Sequence, residues 1–250
     1  MRFGELDAVQ RRRERYHGLT VLAGDWIVVR VDGRAFTTLT NAHFTKPFDD
    51  RFGAVMEQTA AILIEEFEGL YSYVQSDEIS VLLPRTTTLF DRGVEKIVSV
   101  AAATAAAAFT ESAARRAVFD GRLWIGDTRD DVVDYFAWRQ ADAERNALNT
   151  CAYWTLRQQG LSGRQAQHRM SGITNADKRD IIAAHGTPFD ELPLWQRRGV
   201  GIWYESFEKT GYDPKSQRQV TAIRRRLRHE SALSSGADYR DLITARTADR

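Results

Sequence analysis

Two short acidic stretches contain the residues whose types and spacing best suit catalysis. Asp32-Gly33 follows residues 26–31, an almost continuous apolar and β-branched run, and Gln75-Ser76-Asp77-Glu78 lies between two further apolar runs. The first run is typical of a strand buried on both faces, and the other two are typical of a hairpin with a short polar turn. Asp77 and Glu78 point to opposite faces if both lie in a strand, and we expect Asp77 to be the one that reaches the site.

The order of the predicted elements brings Asp32 and Asp77 to one edge of a sheet. After the first strand come a helix at about 50–68, the hairpin at 70–83, an alanine-rich helix at about 89–116 and a strand at 118–125. This β-α-β-β-α-β order is that of ferredoxin-like domains. In that order the first and third strands are antiparallel neighbours. We therefore expect an α+β fold in which both carboxylates meet at the same sheet edge.

Two carboxylates beside the free backbone N–H groups of residues 33–37 form a place where Mg²⁺ can be held against a triphosphate. Two metal ions about 3.5–4 Å apart stabilise the attacking and leaving oxygens of a phosphoryl displacement. The pattern therefore indicates nucleotidyl transfer. The alternative is a hairpin with polar tip residues and an unrelated turn, since an Asp-Gly pair after a strand is usually only a turn.

The second half of the chain is predicted to be mainly helical. Its expected elements are helices at 132–159, 162–170 and 175–184, a helical turn at 194–198, and a terminal hairpin of 200–204 with 218–223. Lys178 lies in the first turn of the third helix, where it meets either a phosphate or only solvent. We divide the chain into a catalytic region at 1–130, a helical region at 131–226 that completes the site, and a mobile basic tail at 227–250.

Composition bounds the class of protein. The chain has 250 residues, a formal net charge of +1 and 28% charged residues, as in globular proteins with a sizeable core. This charge gives no global attraction to nucleic acid or membranes, so local Lys and Arg clusters must hold any polyanion. Cys151 is the single cysteine, which excludes a disulfide framework and a cysteine-based zinc site. With no apolar leader or long apolar run, we expect a cytoplasmic protein without a membrane partner.

Five motifs in one order resemble the tRNA(His) guanylyltransferase family over roughly residues 25–204. They are Arg30-Val31-Asp32-Gly33-Arg34-Ala35-Phe36, Lys46-Pro47-Phe48-Asp49, Gln75-Ser76-Asp77-Glu78-Ile79-Ser80, Asp134-Tyr135-Phe136-Ala137-Trp138-Arg139-Gln140-Ala141-Asp142, and Gly172-Ile173-Thr174 with Asp177-Lys178. The resemblance implies a polymerase-type palm and an enzyme that adds nucleotides to the 5′ end of tRNA in the 3′-to-5′ direction. It also implies tRNA, ATP and GTP or other nucleoside triphosphates as partners of a homotetramer, a dimer of dimers.

The resemblance also implies roles for individual residues. Asp32, Asp77 and the backbone carbonyl of Gly33 are expected to hold two Mg²⁺ ions. Lys46, Ser76 and Lys178 are expected to assist activation of the tRNA 5′-phosphate by ATP, which precedes attack by the 3′-hydroxyl of an incoming nucleotide. The positions expected to contact nucleotide are Asp32, Gly33, Arg34, Ala35, Phe36, Thr37, Ser76, Asp77, Arg92, Lys96 and Asn146.

One departure from the family pattern bears on the reaction. Glu144-Arg145-Asn146-Ala147 stands where the eukaryotic branch has His-Ile-Asn-Asn, and a double-arginine run is reduced to Arg92-Gly93. These differences favour template-dependent repair of tRNA 5′ ends. Guanosine addition to tRNA(His) is the other expected reaction. The alternatives are a palm-type nucleotide cyclase, which needs neither the 139–142 motif nor Lys178, and a non-catalytic tRNA-binding protein.

Overall fold

Strand β1 (Trp26–Gly33) lies inside an antiparallel sheet and is covered on both faces. Ile27, Val29 and Val31 pack into one hydrophobic cluster, while Trp26 and Val28 pack into another. Each of these five residues is at most 2% exposed. The computed structural model describes residues 2–213 and 217–248, and β1 has the two-sided burial that its sequence predicts.

The sheet places the two acidic stretches next to each other. The strands after β1 are β2 (Tyr71–Gln75), β3 (Glu78–Leu82), β4 (Phe119–Gly126), β5 (Val200–Asp213) and β6 (Arg218–Glu230). Their order is β4-β1-β3-β2-β5-β6, with β1 antiparallel to both β3 and β4. The predicted adjacency of the first and third strands is therefore confirmed. Asp32 lies opposite Glu78 in β3 and opposite Asp120 in β4.

Helices cover both faces of the sheet, which confirms the predicted α+β class. The helices in the described part of the chain are α1 (Phe3–Arg11), α2 (Phe36–His43), α3 (Asp50–Glu66), α4 (Val94–Ala113), α5 (Arg129–Gln158), α6 (Gly163–Met170), α7 (Asn175–Ala183), α8 (Leu194–Arg198) and α9 (Ala237–Arg246). Met56 of α3 and Phe109 of α4 pack on one face of the sheet, and Phe136 of α5 and Ile243 of α9 pack on the other. No helix in the described part of the chain is long and apolar enough to cross a membrane.

Two helices near the sheet differ from the prediction. Helix α2 lies between the first strand and the predicted helix at 50–68, where the predicted order has no element. The predicted helix at 89–116 is instead a 3-10 turn, Leu89–Arg92, followed by α4. The break falls at Gly93, whose backbone is extended (φ −67°, ψ 118°) and forms a β-bridge with Thr20. Arg92 therefore lies in a tight turn and not on the surface of α4.

The C-terminal segment is folded, so the predicted mobile tail at 227–250 is wrong over its described residues. Strand β6 runs into this segment, and α9 buries Tyr239 and Ile243 completely. The Tyr239 hydroxyl lies 3.2 Å from the hydroxyl of Tyr71 in β2. One buried aromatic and one buried aliphatic residue, four positions apart, anchor α9 within an otherwise charged sequence. Residues 249 and 250 of the predicted tail lie outside the described part.

The terminal hairpin is present and is longer than predicted. Strand β5 pairs with β2 at Val200–Ile202, and with β6 along the whole length from residue 201 to residue 213. The distal part of the hairpin is therefore a two-stranded ribbon that extends beyond the six-stranded core of the sheet.

Side-chain caps fix where the helices of the second half begin. Thr128 and Asp131 exchange hydrogen bonds at the start of α5, and Thr174 and Asp177 do the same at the start of α7. In such a capping box each side chain satisfies a backbone N–H that the helix itself leaves unpaired. Thr174 is the N-cap of α7. This cap sets the first turn that carries the predicted phosphate-binding lysine.

Candidate active site

Asp32 and Asp77 leave neighbouring strands at the same edge of the sheet, as expected. The backbone N–H of Gly33 donates to the carbonyl of Asp77 over 3.1 Å, and Asp77 occupies the turn immediately before β3. Ser76 precedes it with a left-handed φ of 52°, and its hydroxyl donates to Asp77 Oδ1 over 3.0 Å. Folding therefore joins two acids that are 45 positions apart in the sequence.

The carboxyl groups of Asp32 and Asp77 both have a raised pKa at this edge of the sheet. Burial, and then the neighbouring charge of Asp32, raise the pKa of Asp77 to about 6. Burial and the facing carboxylate of Asp120 raise the pKa of Asp32. A buried pair of like charges is unfavourable, and a cation between them relieves the repulsion. The donor set thus suits a divalent cation that prefers oxygen ligands.

Within the described residues, no group of three or more His, Cys, Asp and Glu side chains is arranged to hold a metal ion. A magnesium site does not require such a group. Mg²⁺ is usually bound by one or two carboxylates, waters and substrate phosphates. Asp32, Asp77 and the carbonyl of Gly33 therefore fit Mg²⁺ in the presence of a triphosphate.

Glu78 is held by cations and is not free to join the pair. Arg139 of α5 donates to its two carboxylate oxygens over 2.8 and 2.9 Å, and Arg30 lies 3.7 Å away. Arg139 also donates to Asp142 over 3.1 Å. These contacts explain why Asp77, not its neighbour Glu78, is the better candidate ligand. They also fix α5 against the end of β3.

The loop after Asp32 ends at the N-terminus of α2. A Cβ added to Gly33 would lie 2.3 Å from the ring of Phe36, so this position requires glycine. Ala35 has a left-handed φ of 61° and supplies no side-chain cap to α2, so the first N–H groups of this helix remain available for an anion. The N–H of Arg34 is not among them, because it donates to the carbonyl of Val118 over 2.8 Å.

Lys46 brings a positive charge to the same region. Its half-buried ammonium donates to Thr40 Oγ1 over 2.6 Å. Burial lowers the pKa of Lys46, and the charge of Asp77 opposes that shift. The lysine is therefore held close to the carboxylate pair, where it can meet the charge of a phosphoryl group.

A cavity of about 660 Å³ opens beside the carboxylate pair, which is within the range of small-molecule sites. Its wall includes Asp32, Thr37, Lys46, Ser76 and Asp77, together with Asn146 of α5. Other residues of this wall were not predicted to belong to the site: Thr40, Phe48, Tyr153, Trp154, Arg157 and Trp195. A signal was present in α5, since 142, 146, 150, 153, 154 and 157 recur at helical spacing.

Two predicted nucleotide contacts lie elsewhere in the chain. Arg92 is 8% exposed, and its guanidinium donates to the carbonyls of Val21, Leu22 and Asp25 near the other end of β1. The predicted triphosphate contact of Arg92 is therefore wrong within one chain, because backbone carbonyls already occupy its donors. Lys96 is exposed on the first turn of α4, 5.6 Å from the ring of Phe90, and does not line the cavity.

Lys178 lies in the first turn of α7, as predicted, but it does not line the cavity. Its ammonium group is 3.4 Å from Asn175 Oδ1. The C-terminal half of α5 packs on α7 through Leu148 and Ile182. The helix that carries Lys178 therefore packs on the helix that supplies Asn146 to the cavity. Contact between Lys178 and a phosphate stays a prediction.

Two family models match nearly the whole chain. The model described as tRNAHis guanylyltransferase matches residues 9–126, and the model described as the Thg1 C terminal domain matches residues 130–244. The probable tRNA(His) guanylyltransferase of Homo sapiens is 35% identical over 198 residues, which cover 74% of this chain and 66% of that protein. The corresponding protein of Bos taurus is 33% identical over 210 residues, which cover 78% of this chain and 70% of the relative.

Solved structures agree with these sequence matches. A bacterial tRNA(HIS) guanylyltransferase (Thg1)-like protein in complex with ATP has a TM-score of 0.78 and 26% identity, covering 99% of this chain and 100% of that chain. A structure of such a protein in complex with GTP has a TM-score of 0.73 and 26% identity, and the match covers 98% of this chain and 99% of that chain. The chain therefore belongs to the tRNAHis guanylyltransferase family of nucleotidyltransferases.

Proposed function

We propose that this chain adds nucleotides to the 5′ end of tRNA in the 3′-to-5′ direction. The observation that carries the proposal is the pairing of two partly buried carboxylates, Asp32 and Asp77, with Lys46 at the wall of a cavity of about 660 Å³. Carboxylates and a lysine in this arrangement suit phosphoryl chemistry, which depends mostly on positioning and electrostatics. The ATP and GTP complexes of the bacterial relatives support nucleoside triphosphates as substrates.

The sheet supports a polymerase-type palm of ferredoxin-like order in residues 1–130. The contiguous order β4-β1-β3-β2, with helices α3 and α4 between the strands in sequence, is compatible with that arrangement. Residues 131–226 complete the site, since α5 contributes Arg139 and Asn146 to its wall. We assign tRNA contact to the same region.

Two Mg²⁺ ions are proposed to bind Asp32, Asp77 and the Gly33 carbonyl. When bound, the ions neutralise charge at the attacking and leaving oxygens of the phosphoryl transfer. The chain itself positions the substrate. The N-terminus of α2 and the hydroxyl of Ser76 face the triphosphate, while Lys46 and Lys178 meet the 5′-phosphate of the RNA.

The proposed reaction has two steps. An oxygen of the tRNA 5′-monophosphate attacks the α-phosphorus of ATP, which forms an adenylylated end and releases pyrophosphate. The 3′-hydroxyl of the incoming nucleotide then attacks the activated 5′-phosphorus, loses its proton and releases AMP. An RNA that carries a 5′-triphosphate skips the first step and releases pyrophosphate in the second.

We favour template-dependent repair of truncated 5′ ends over obligatory guanosine addition to tRNA(His). The sequence departure at Glu144-Arg145 supports this preference, since the eukaryotic histidine is replaced by an acid. In the structure Arg145 forms an ion pair with Asp142, which also accepts from Asn146 over 3.2 Å. From the family resemblance we further infer that the protein is cytoplasmic and forms a homotetramer. Light scattering on the purified protein tests the homotetramer.

Incorporation of labelled nucleotide into a 5′-truncated tRNA, with and without Mg²⁺, tests the function. Asp77→Ala is expected to abolish incorporation and leave folding intact, because its side chain accepts a hydrogen bond from Ser76 and its charge is repelled by that of Asp32. Asp25→Ala is the matched control, because this acid lies at the opposite end of the same strand region. Full activity of Asp77→Ala refutes the site. Labelled cyclic nucleotide as the product would indicate a cyclase, and tRNA binding with no product would indicate a binding protein.

A further inference from the structure

An exposed tryptophan lies beside the carboxylate edge and outside the cavity. Trp138 of α5 is 53% exposed, and it does not line the cavity that holds Asp32 and Asp77. The other exposed aromatic side chains among the described residues are Phe3, Tyr16 and Tyr212. Of these four rings, Trp138 is the one in cation–π contact with Arg30 and Arg139.

The indole ring is held in place by three neighbouring side chains. The guanidinium carbon of Arg139 lies 4.5 Å from the ring centroid, and that of Arg30 lies 5.7 Å from it. The ring of Tyr135 lies 5.9 Å away in an edge contact. Arg139 is itself fixed by Glu78 and Asp142. Trp138 is therefore held in one orientation and keeps a large exposed area. Stacking of a base on this ring costs the protein little conformational entropy.

The ring contacts a residue of the strand whose end carries one of the two carboxylates. Arg30 and Asp32 are two positions apart on β1 and share a face, so their Cα atoms are about 7 Å apart. Arg122 of β4 lies opposite Arg30 in the strand register, on that same face. A base stacked on Trp138 therefore lies near the end of β1 that carries Asp32.

The surroundings of the ring favour RNA over another protein chain. The cores of protein interfaces are depleted of charged residues. Trp138 is instead a single exposed ring against the guanidinium groups of Arg30 and Arg139, and both of these groups are paired with Glu78. Aromatic rings interleaved with arginine are the usual platform for unpaired bases.

We propose that Trp138 is the stacking platform for an unpaired nucleobase at the RNA terminus that enters the Asp32–Asp77 site. The inference rests on the proposed function and names how that site receives its RNA. The nucleoside triphosphate occupies the separate cavity, so Trp138 acts on the RNA substrate alone. It positions the end of the strand and takes no part in proton or phosphoryl transfer.

The test uses an RNA hairpin that mimics an acceptor stem with one unpaired terminal nucleotide, and a second hairpin with an abasic residue at that position. Fluorescence anisotropy without nucleotide is expected to show binding of the first hairpin weakened roughly 5- to 150-fold in Trp138→Ala, which is the range for loss of one stacked base. Trp138→Phe is expected to retain most of the affinity. The abasic hairpin is expected to bind the wild type and Trp138→Ala equally.

Kinetics give a second readout. Trp138→Ala is expected to raise the KM for the hairpin and leave the KM for the nucleoside triphosphate unchanged. Phe3→Ala, which removes an exposed aromatic ring on α1, is the control and is expected to change neither constant.

Three outcomes overturn the inference. The first is equal binding of the unpaired hairpin by wild type and Trp138→Ala. The second is a raised KM for the triphosphate instead of the RNA. The third is a change of oligomeric state in Trp138→Ala, which would make the ring a protein contact. Absence of incorporation by the wild type refutes the proposed function instead, and the anisotropy comparison still decides the role of Trp138.

Discussion

Removal of Arg139 is expected to destabilise the protein strongly, because one guanidinium neutralises two poorly exposed acids. Its side chain is 9% exposed, and those of Glu78 and Asp142 are 12% and 17% exposed. Breaking a buried ion pair by removing one partner typically costs about 3–5 kcal/mol. In a chain of this length, each kcal/mol lowers Tm by about 2–4 °C. Arg139→Ala is therefore expected to lower Tm by roughly 6–20 °C.

The penalty of Arg139→Ala is expected to depend on pH. Burial already raises the pKa of Glu78 against the attraction of Arg139 and Arg30, and loss of Arg139 raises it further. A carboxyl whose folded pKa is raised stabilises the fold at low pH, and that contribution is lost as pH rises. The variant is therefore expected to lose more stability at pH 8 than at pH 5.5.

Urea or thermal unfolding of wild type and variants checks this prediction. Arg145→Ala is the matched control, because Arg145 pairs with the same Asp142 but has a side chain 64% exposed, and such pairs contribute about 0–1 kcal/mol. The double variant Arg139→Met with Glu78→Gln is expected to cost less than the sum of the two single changes. Equal stability of Arg139→Ala and Arg145→Ala would refute the buried network as a source of stability.

Two further substitutions separate structural cations from phosphate-binding ones. Arg92→Ala is expected to destabilise the fold by more than about 2 kcal/mol, since it leaves several buried carbonyls without a donor. Lys96→Ala changes an exposed side chain and is expected to be neutral in the same unfolding experiment. An Arg92→Ala variant that is stable but loses nucleotide addition would contradict this. Lys178→Ala is expected to slow addition to 5′-monophosphorylated tRNA much more than to 5′-triphosphorylated tRNA. Equal losses on both RNAs, or the same pattern in Arg179→Ala, would count against an activation role.

Local sequence patterns determined the elements and the edge where the acids meet. The β-branched run of β1 requires burial on both faces, and the register that follows brings Asp32 beside Asp77. The predicted α5, at 132–159, agrees with the observed Arg129–Gln158 within three residues at each end. These features depend on periodicity, turn residues and strand order, all of which are written locally along the chain.

Tertiary structure alone decided which partner each polar side chain has. Arg92 looks like a surface cation in the sequence, yet the break at Gly93 turns it towards five backbone carbonyls. Tyr239 and Ile243 lie in a charged segment, yet they complete the face of the sheet behind β2. A residue's type and spacing predict the face it occupies, but its partners come from distant segments, and the close packing of the folded chain selects them.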